Sequence, residues 1–254
     1  MKHLFSPQGD AALAGAMAQR PLLAFDFDGT LAPIVSRSDE ARVSLAVARR
    51  LDCLARDLPL AVISGRGVED VRARLSFEPQ FIIGNHGAED PLAPAPVTRS
   101  SVFDGLRQRL REHLPDLDSA GVVVEDKHYS MALHYRLARD RGWALDLITR
   151  LLSDLGPDIH TYGGKMVVNV VDARAPDKAQ AVARLVQRCG ARSAVFVGDD
   201  INDEPVFARA ERSWLTVRVG RDDPNTQAMF CLDNFGEVAS MLDRMLTLRG
   251  GLKD

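Results

Sequence analysis

Asp26 and Asp28 lie two residues apart at the end of an apolar run, Leu22-Leu23-Ala24-Phe25, and are followed by Gly29-Thr30-Leu31. A buried strand over that run delivers both carboxylates to one side, because strand side chains repeat every second residue. Carboxylates in such a place are costly unless a cation or a substrate uses them. The competing reading is an Asp-Gly turn with the first aspartate as a cap. Three further polar clusters shift that balance. Ser64-Gly65-Arg66 follows Ala61-Val62-Ile63, Lys178 opens a helical pattern, and Gly198-Asp199-Asp200-Ile201-Asn202-Asp203-Glu204 follows Val195-Phe196-Val197. Each alone has a structural explanation: a cap for Ser64, a surface lysine for Lys178, a loop start for Asp199.

Together these residue types suit phosphoryl transfer. Asp26 and Asp199, with a backbone carbonyl, suit an oxygen-liganded Mg²⁺ that keeps several waters. A carboxylate can also be a nucleophile and form an aspartyl-phosphate, with the cation neutralising the charge between carboxylate and phosphate. Lys178 and Ser64 offer positive charge and a hydroxyl donor to the phosphoryl oxygens, and positioning plus electrostatics is most of what this chemistry needs. Asp28 can protonate a leaving alkoxide and then activate water.

Such a set needs elements that bring it to one edge. Apolar runs over 22–26, 60–63, 81–83, 194–197 and 215–219 read as buried strands. Helical patterns over 43–55, 68–75, 177–189, 204–210 and 235–246 alternate with them, and a small helix over 11–18 precedes the first strand. That alternation predicts an α/β fold with a Rossmann-like parallel sheet, whose ligands bind beyond the carboxyl ends of the strands. After Pro91-Leu92-Ala93-Pro94-Ala95-Pro96, read as a linker, the rhythm changes. Helices over 102–114 and 143–155 and strand pairs over 122–125 with 130–136 and 159–162 with 166–171 predict an inserted α/β module with an antiparallel sheet. The second pair is expected to turn at Gly163-Gly164. The expected division is a core over 1–100 and 175–254 with the insertion over 101–174.

The chain has 254 residues, 46% of them hydrophobic and 26% charged, which is ordinary for a globular protein. A net charge of -3 argues against a nucleic-acid partner. No apolar stretch reaches membrane-span length, and Ser6-Pro7-Gln8-Gly9-Asp10 interrupts any signal-peptide apolar region, so a cytoplasmic protein without membrane partners is expected. Cys53, Cys189 and Cys231 show no metal spacing and read as buried free thiols. His128 and His134 read as surface or packing residues, and Arg107, Arg109 and Arg111 as a solvated helix face.

In order, Asp-Phe-Asp-Gly-Thr, Ser-Gly-Arg, a helix-leading lysine and Gly-Asp-Asp-x-x-Asp-Glu resemble the four motifs of the haloacid dehalogenase superfamily of phosphatases, and the insertion resembles its larger cap. That resemblance implies Asp26 as nucleophile, Asp28 as general acid/base, and a Mg²⁺ site at Asp26, Asp28 and Asp199 with Asp203 in the outer shell. It implies Ser64, Gly65 and Lys178 as phosphate contacts. Finer features look like the trehalose-6-phosphate phosphatase family: Gly84-Asn85-His86-Gly87-Ala88-Glu89, Glu125-Asp126-Lys127, Ala132-Leu133-His134-Tyr135-Arg136 and Gly164-Lys165-Met166-Val167. By that likeness Arg66, Asn85, His86, Gly87, Glu125, Lys127 and Lys165 belong to substrate binding, in a site assembled by cap closure. Asn169 stands where that family usually has glutamate, and Asn202 where it usually has threonine. The implied activity is hydrolysis of trehalose 6-phosphate in trehalose biosynthesis, by a monomer. Asn169 keeps a related phosphatase of sucrose phosphate or of a glucosyl- or mannosyl-glycerate phosphate open, and a non-catalytic sugar-phosphate-binding module or a phosphomutase are further alternatives.

Overall fold

Strands in which every side chain is apolar can be buried on both faces, and that is what the central runs do. The computed structural model describes residues 1–35, 37–93 and 100–250. In chain order, β1 (Lys2–His3) and α1 (Pro7–Ala18) precede β2 (Leu22–Phe25), α2 (Leu45–Ala55), β3 (Leu60–Ile63), α3 (Val68–Arg72) and β4 (Phe81–Ile83). Then come α4 (Asp104–Glu112), α5 (Leu114–Ala120), β5 (Val123–Asp126), β6 (Ser130–His134), α6 (Arg141–Leu151), β7 (Ile159–Gly164) and β8 (Val167–Asp172). The chain continues through α7 (Lys178–Cys189), β9 (Ala194–Gly198), α8 (Glu204–Arg209), β10 (Leu215–Val219), β11 (Phe230–Leu232) and α9 (Glu237–Gly250).

The chain divides into two units, Met1–Pro91 with Pro176–Asp254, and Leu92–Ala175. The first holds a seven-stranded sheet, ordered β1-β11-β10-β9-β2-β3-β4, in which every pairing is parallel. Alternate strand residues feed opposite layers. Leu23, Phe25, Val62, Val195, Val197 and Val217 pack with Leu13, Met17, Leu51, Leu54, Met241 and Leu242 of α1, α2 and α9. Leu22, Ala24, Ala61, Ile63 and Phe196 pack with Val182, Leu185, Val206 and Phe207 of α7 and α8. At about 25 cal/mol per Å² of apolar surface, this double burial holds β2 and β9 in the middle of the sheet. The second unit holds an antiparallel sheet ordered β5-β6-β8-β7, packed through Met131, Leu133 and Val170 on Phe103, Leu106, Leu117 and Ile148.

Several expectations need correction. β1 and β11 escaped the strand reading, being two and three residues long and lacking periodicity. The helix expected over 102–114 ends at Glu112, and α5 starts anew at Leu114 with Pro115 in its first turn, where a missing N–H costs nothing. Gly163 and Gly164 lie inside β7, and the turn falls instead at Lys165-Met166, with Met166 at φ 63°. Only Cys231 is buried, Cys53 and Cys189 being half-buried. Of the expected linker, residues 94–96 lie outside the described residues, and Pro91-Leu92-Ala93 forms a turn. Among the described residues no helix is long and apolar enough to cross a membrane.

Candidate active site

Asp26 follows β2 directly, and its N–H donates to the Val197 carbonyl (2.9 Å), so it extends the pairing with β9 and lies beside the start of the Gly198-Asp199 loop. The chain then turns sharply, with the Phe27 carbonyl accepting from the N–H groups of Leu31 (2.9 Å) and Ala32 (2.8 Å). Gly29 sits in this turn at φ +82°, and a Cβ there would lie 2.1 Å from Asp199 Oδ2. Glycine is therefore required twice over, by the backbone and by the carboxylate packed on it.

The helix that returns the chain to the first unit delivers the cation. Asp177 caps α7 in a capping box with Gln180, which makes Lys178 its first residue. Lys178 is 1% exposed, and its Nζ donates to Asp26 Oδ1 (2.8 Å) and Asp203 Oδ1 (2.7 Å). Asp203 Oδ2 accepts from the N–H groups of Asp199 (2.9 Å) and Asp200 (3.0 Å), so this one carboxylate ties the lysine to the loop that carries Asp199. Gly198 makes room for it, since a Cβ there would meet Asp203 Cγ at 2.4 Å.

Asp26, Asp199 and Asp203 are all buried, each with a carboxylate oxygen within 4.8 Å of the others. Burial pushes the Asp26 carboxyl well above the ordinary carboxylate range, and the charges of Asp203 and Asp199 add to that push against the opposing pull of Lys178. Burial likewise disfavours the Lys178 ammonium, but Asp203 and Asp26 outweigh it and raise its pKa. Three buried carboxylates thus face one ammonium, an all-oxygen donor set with excess negative charge that fits a hard divalent cation such as Mg²⁺. Asp26 and Asp199 are the residues that would hold such a cation directly, because both oxygens of Asp203 already serve N–H donors. The Asp28 carboxylate turns to a different partner. Arg66 grips both of its oxygens, Nε to Oδ2 and Nη2 to Oδ1, each at 2.7 Å.

Ser64 and the 84–89 loop meet beyond β3 and β4. Ser64 is 1% exposed, and its Oγ accepts from the Arg66 N–H at 3.1 Å. The His86 N–H donates to the Ser64 carbonyl and the Asn85 N–H to that of Arg66. Gly65 lies against the His86 ring, with 2.3 Å between its notional Cβ and the ring. Asn85 and His86 both take left-handed backbone, at φ 49° and 59°, a conformation that persists only where the surroundings impose it. Glu89 is one such constraint: its Oε2 accepts from Asn85 Nδ2 (2.8 Å) and from the Val68 N–H that opens α3 (2.9 Å). Buried Asn85 therefore builds the loop through its amide. Gly87, at φ +114°, comes so close to Asp177 that a Cβ would lie 2.5 Å from its carbonyl oxygen, which seats the loop on the start of α7.

In the second unit, Glu125 pairs with Ala132, Ala132 with Asn169 and Asn169 with Tyr162, so the four form one row across the sheet. Met131, Leu133 and Val170 feed the apolar layer, and the row occupies the opposite face. Lys127 Nζ lies 3.6 Å from Glu125 Oε2, and His134 Nε2 lies 2.9 Å from the same oxygen. His134 and Tyr162 were not among the expected site residues; only strand register places them on this face. Lys165 sits in the exposed β7–β8 turn, at the other end of the sheet from Lys127.

A parallel sheet carrying an Asp-Lys-Asp cluster at its carboxyl edge, interrupted by a unit with its own antiparallel sheet, defines a haloacid dehalogenase-type phosphatase fold. The C-terminal domain of Candida albicans trehalose-6-phosphate phosphatase has this fold, with a TM-score of 0.78 at 23% identity over 94% of this chain and 97% of that one. Residues 24–222 match the trehalose-phosphatase family model, and the chain belongs to that family. A probable trehalose-phosphate phosphatase of Sinorhizobium fredii is 34% identical over 215 residues, covering 82% of this chain and 80% of the relative. The trehalose-phosphate phosphatase of Mycobacterium marinum is 30% identical, covering 91% of this chain but only 63% of its own length.

Proposed function

We propose that this chain hydrolyses trehalose 6-phosphate to trehalose and phosphate with Mg²⁺ bound at Asp26 and Asp199. The observation that carries the reading is Lys178, which bridges Asp26 and Asp203 inside an acidic cluster too negative to be a structural core. The names of the relatives supply the sugar. The cation would neutralise the repulsion between the Asp26 carboxylate and the substrate's phosphate.

In the proposed reaction an oxygen of Asp26 forms a bond to phosphorus while the bond from phosphorus to the sugar oxygen breaks. Asp28 gives its proton to that departing oxygen. Water then attacks phosphorus, its proton passes to Asp28, and Asp26 leaves as a carboxylate. Lys178 holds Asp26 in place and contributes positive charge to the phosphoryl group, with Ser64 as a hydroxyl donor. Glu125, Lys127 and Asn169 are the proposed contacts to sugar hydroxyls, which discriminate strongly because a ligand lacking a hydroxyl leaves polar groups unpaired.

Asn169 favours a second reading, in which a different glycosyl phosphate is preferred. It is 5% exposed and holds the middle of the polar row, where an uncharged amide replaces the family's usual glutamate. Phosphate release from trehalose 6-phosphate, sucrose phosphate and glucosyl- and mannosyl-glycerate phosphates, with Mg²⁺ and then with a chelator, separates the two. A preference of about tenfold for trehalose 6-phosphate, lost on chelation, is expected; the same preference for another sugar overturns the assignment.

A further inference from the structure

Asp28 is the end of a line of alternating charges that runs away from the acidic cluster along α3. Arg66, its side chain 11% exposed, turns two N–H groups to Asp28 and the third, on Nη1, to Asp70 Oδ2 at 2.9 Å. Asp70 Oδ1 accepts from Arg74 Nη2 at 2.5 Å, and Arg74 Nη1 donates to the Asp39 carbonyl at 2.7 Å. Arg74 is itself 10% exposed, and the Arg66 guanidinium lies 5.4 Å from the Phe27 ring centre. Burial works against charge on both Arg66 and Asp70, yet the hydrogen-bonded partners overcome it, raising the arginine's pKa and lowering the aspartate's.

A guanidinium fork held on one side only can swing with its carboxylate; held on both sides it fixes a plane. We propose that Asp70 and Arg74 are positioning residues, which lock the Arg66 fork so that the Asp28 carboxyl is held in line with the oxygen it must protonate. The inference rests on the role proposed above for Asp28. Neither residue touches substrate in that scheme, so their effect is confined to the step in which Asp28 moves a proton.

The leaving group reads that step. A sugar alkoxide cannot depart without a proton, whereas p-nitrophenolate leaves as a stable anion. The second-order constant kcat/KM covers only the steps up to departure of the alcohol, before water attacks. Purified full chain with Mg²⁺ is assayed on trehalose 6-phosphate, glucose 6-phosphate and p-nitrophenyl phosphate. Asp70→Ala is expected to lower kcat/KM on the sugar phosphates about tenfold while changing it less than about twofold on the aryl phosphate, a part of the whole acid contribution. Asp70→Asn gives a smaller loss with the same split, and Arg74→Lys, which keeps the ion pair, restores most of the activity that Arg74→Gln removes. An equal fall on all three substrates, or no fall on any, overturns the inference; if Asp70→Ala fails to fold, Arg74→Gln is held to the same split. Wild type inert only toward trehalose 6-phosphate overturns the substrate reading and leaves the glucose 6-phosphate comparison to decide on Asp70. Wild type inert on every substrate overturns both.

Discussion

The cluster around Lys178 predicts that removing the proposed nucleophile makes the metal-free protein more stable. At an effective dielectric constant of about 20, two unit charges 4.8 Å apart repel by about 3.5 kcal/mol, so ionised Asp26 feels about 7 kcal/mol or more from Asp199 and Asp203 together. Lys178, at 2.8 Å, returns about 6 kcal/mol. Coulomb terms thus leave about 1 kcal/mol against the charge, and taking the carboxylate out of water adds to it. Asp26→Asn removes the charge while its amide oxygen still accepts from Lys178. In chelator at pH 7.5 the variant is expected to be about 2 kcal/mol more stable, or about 4–8 °C higher in Tm. The sign with pH follows from the raised pKa of Asp26: its contribution to wild-type stability is complete below the unfolded value near 3.8 and is lost as pH rises through the folded value. The gap between the two proteins should therefore close on acidification. Saturating Mg²⁺ should also close it, since ligand at a hundred times its Kd adds about 2.7 kcal/mol to the form that binds it. Thermal melts of both proteins, with chelator and with Mg²⁺ across pH, make the comparison. A variant no more stable than wild type in chelator, or a gap that ignores pH, refutes the electrostatic account.

Other perturbations act at single contacts. The same Asp26→Asn protein should release no phosphate and form no phosphoenzyme, measured by chemical quench. Asp203→Ala strands the N–H groups of Asp199 and Asp200 and removes one of the lysine's two partners, and is expected to cost about 3–5 kcal/mol in urea denaturation. Gly29→Ala drives a methyl into the Asp199 carboxylate at a positive φ, and should raise the Mg²⁺ concentration for half-maximal activity by about tenfold, a shift corresponding to about 1.4 kcal/mol. Asn169→Glu is expected to raise kcat/KM on trehalose 6-phosphate about fivefold, as charged hydrogen bonds exceed neutral ones by about 1 kcal/mol; a rise on every sugar phosphate would argue that the position is not a sugar contact.

What could be read from the sequence was what chemistry and periodicity write locally. Asp26, Ser64, Lys178 and Asp199 were legible because each directly follows an apolar run or opens a helical one, and a parallel sheet gathers such positions at one edge. Contacts made by folding alone were not. Arg107, read as solvated, forks onto Asp126 of β5 (2.7 Å from Nε), because α4 lies beside that strand. His134 reaches Glu125 diagonally on the neighbouring strand, and Asp28 turns to Arg66, 38 residues away. Glu89 belonged to a family-like motif but carried no signal of its role, which is to tie Asn85 to the start of α3. In each case the partner is set by tertiary register, which a side chain's own neighbours do not encode.

The pairing of β2 with β9 also governs how the protein is born. The ribosome releases Asp26 about 170 residues before Asp199. The four strands of the second unit lie wholly between them and pair only with one another. At roughly 5–20 residues per second, the strand leading to Asp26 waits on the order of ten to thirty seconds for its neighbour, with one edge unpaired. The antiparallel unit has time to fold during that interval, and the acidic cluster forms only when the strand leading to Asp199 emerges. Nascent chains of this protein thus pass through a stage at which the whole second unit has emerged while the central sheet is still open, the state a chaperone would meet.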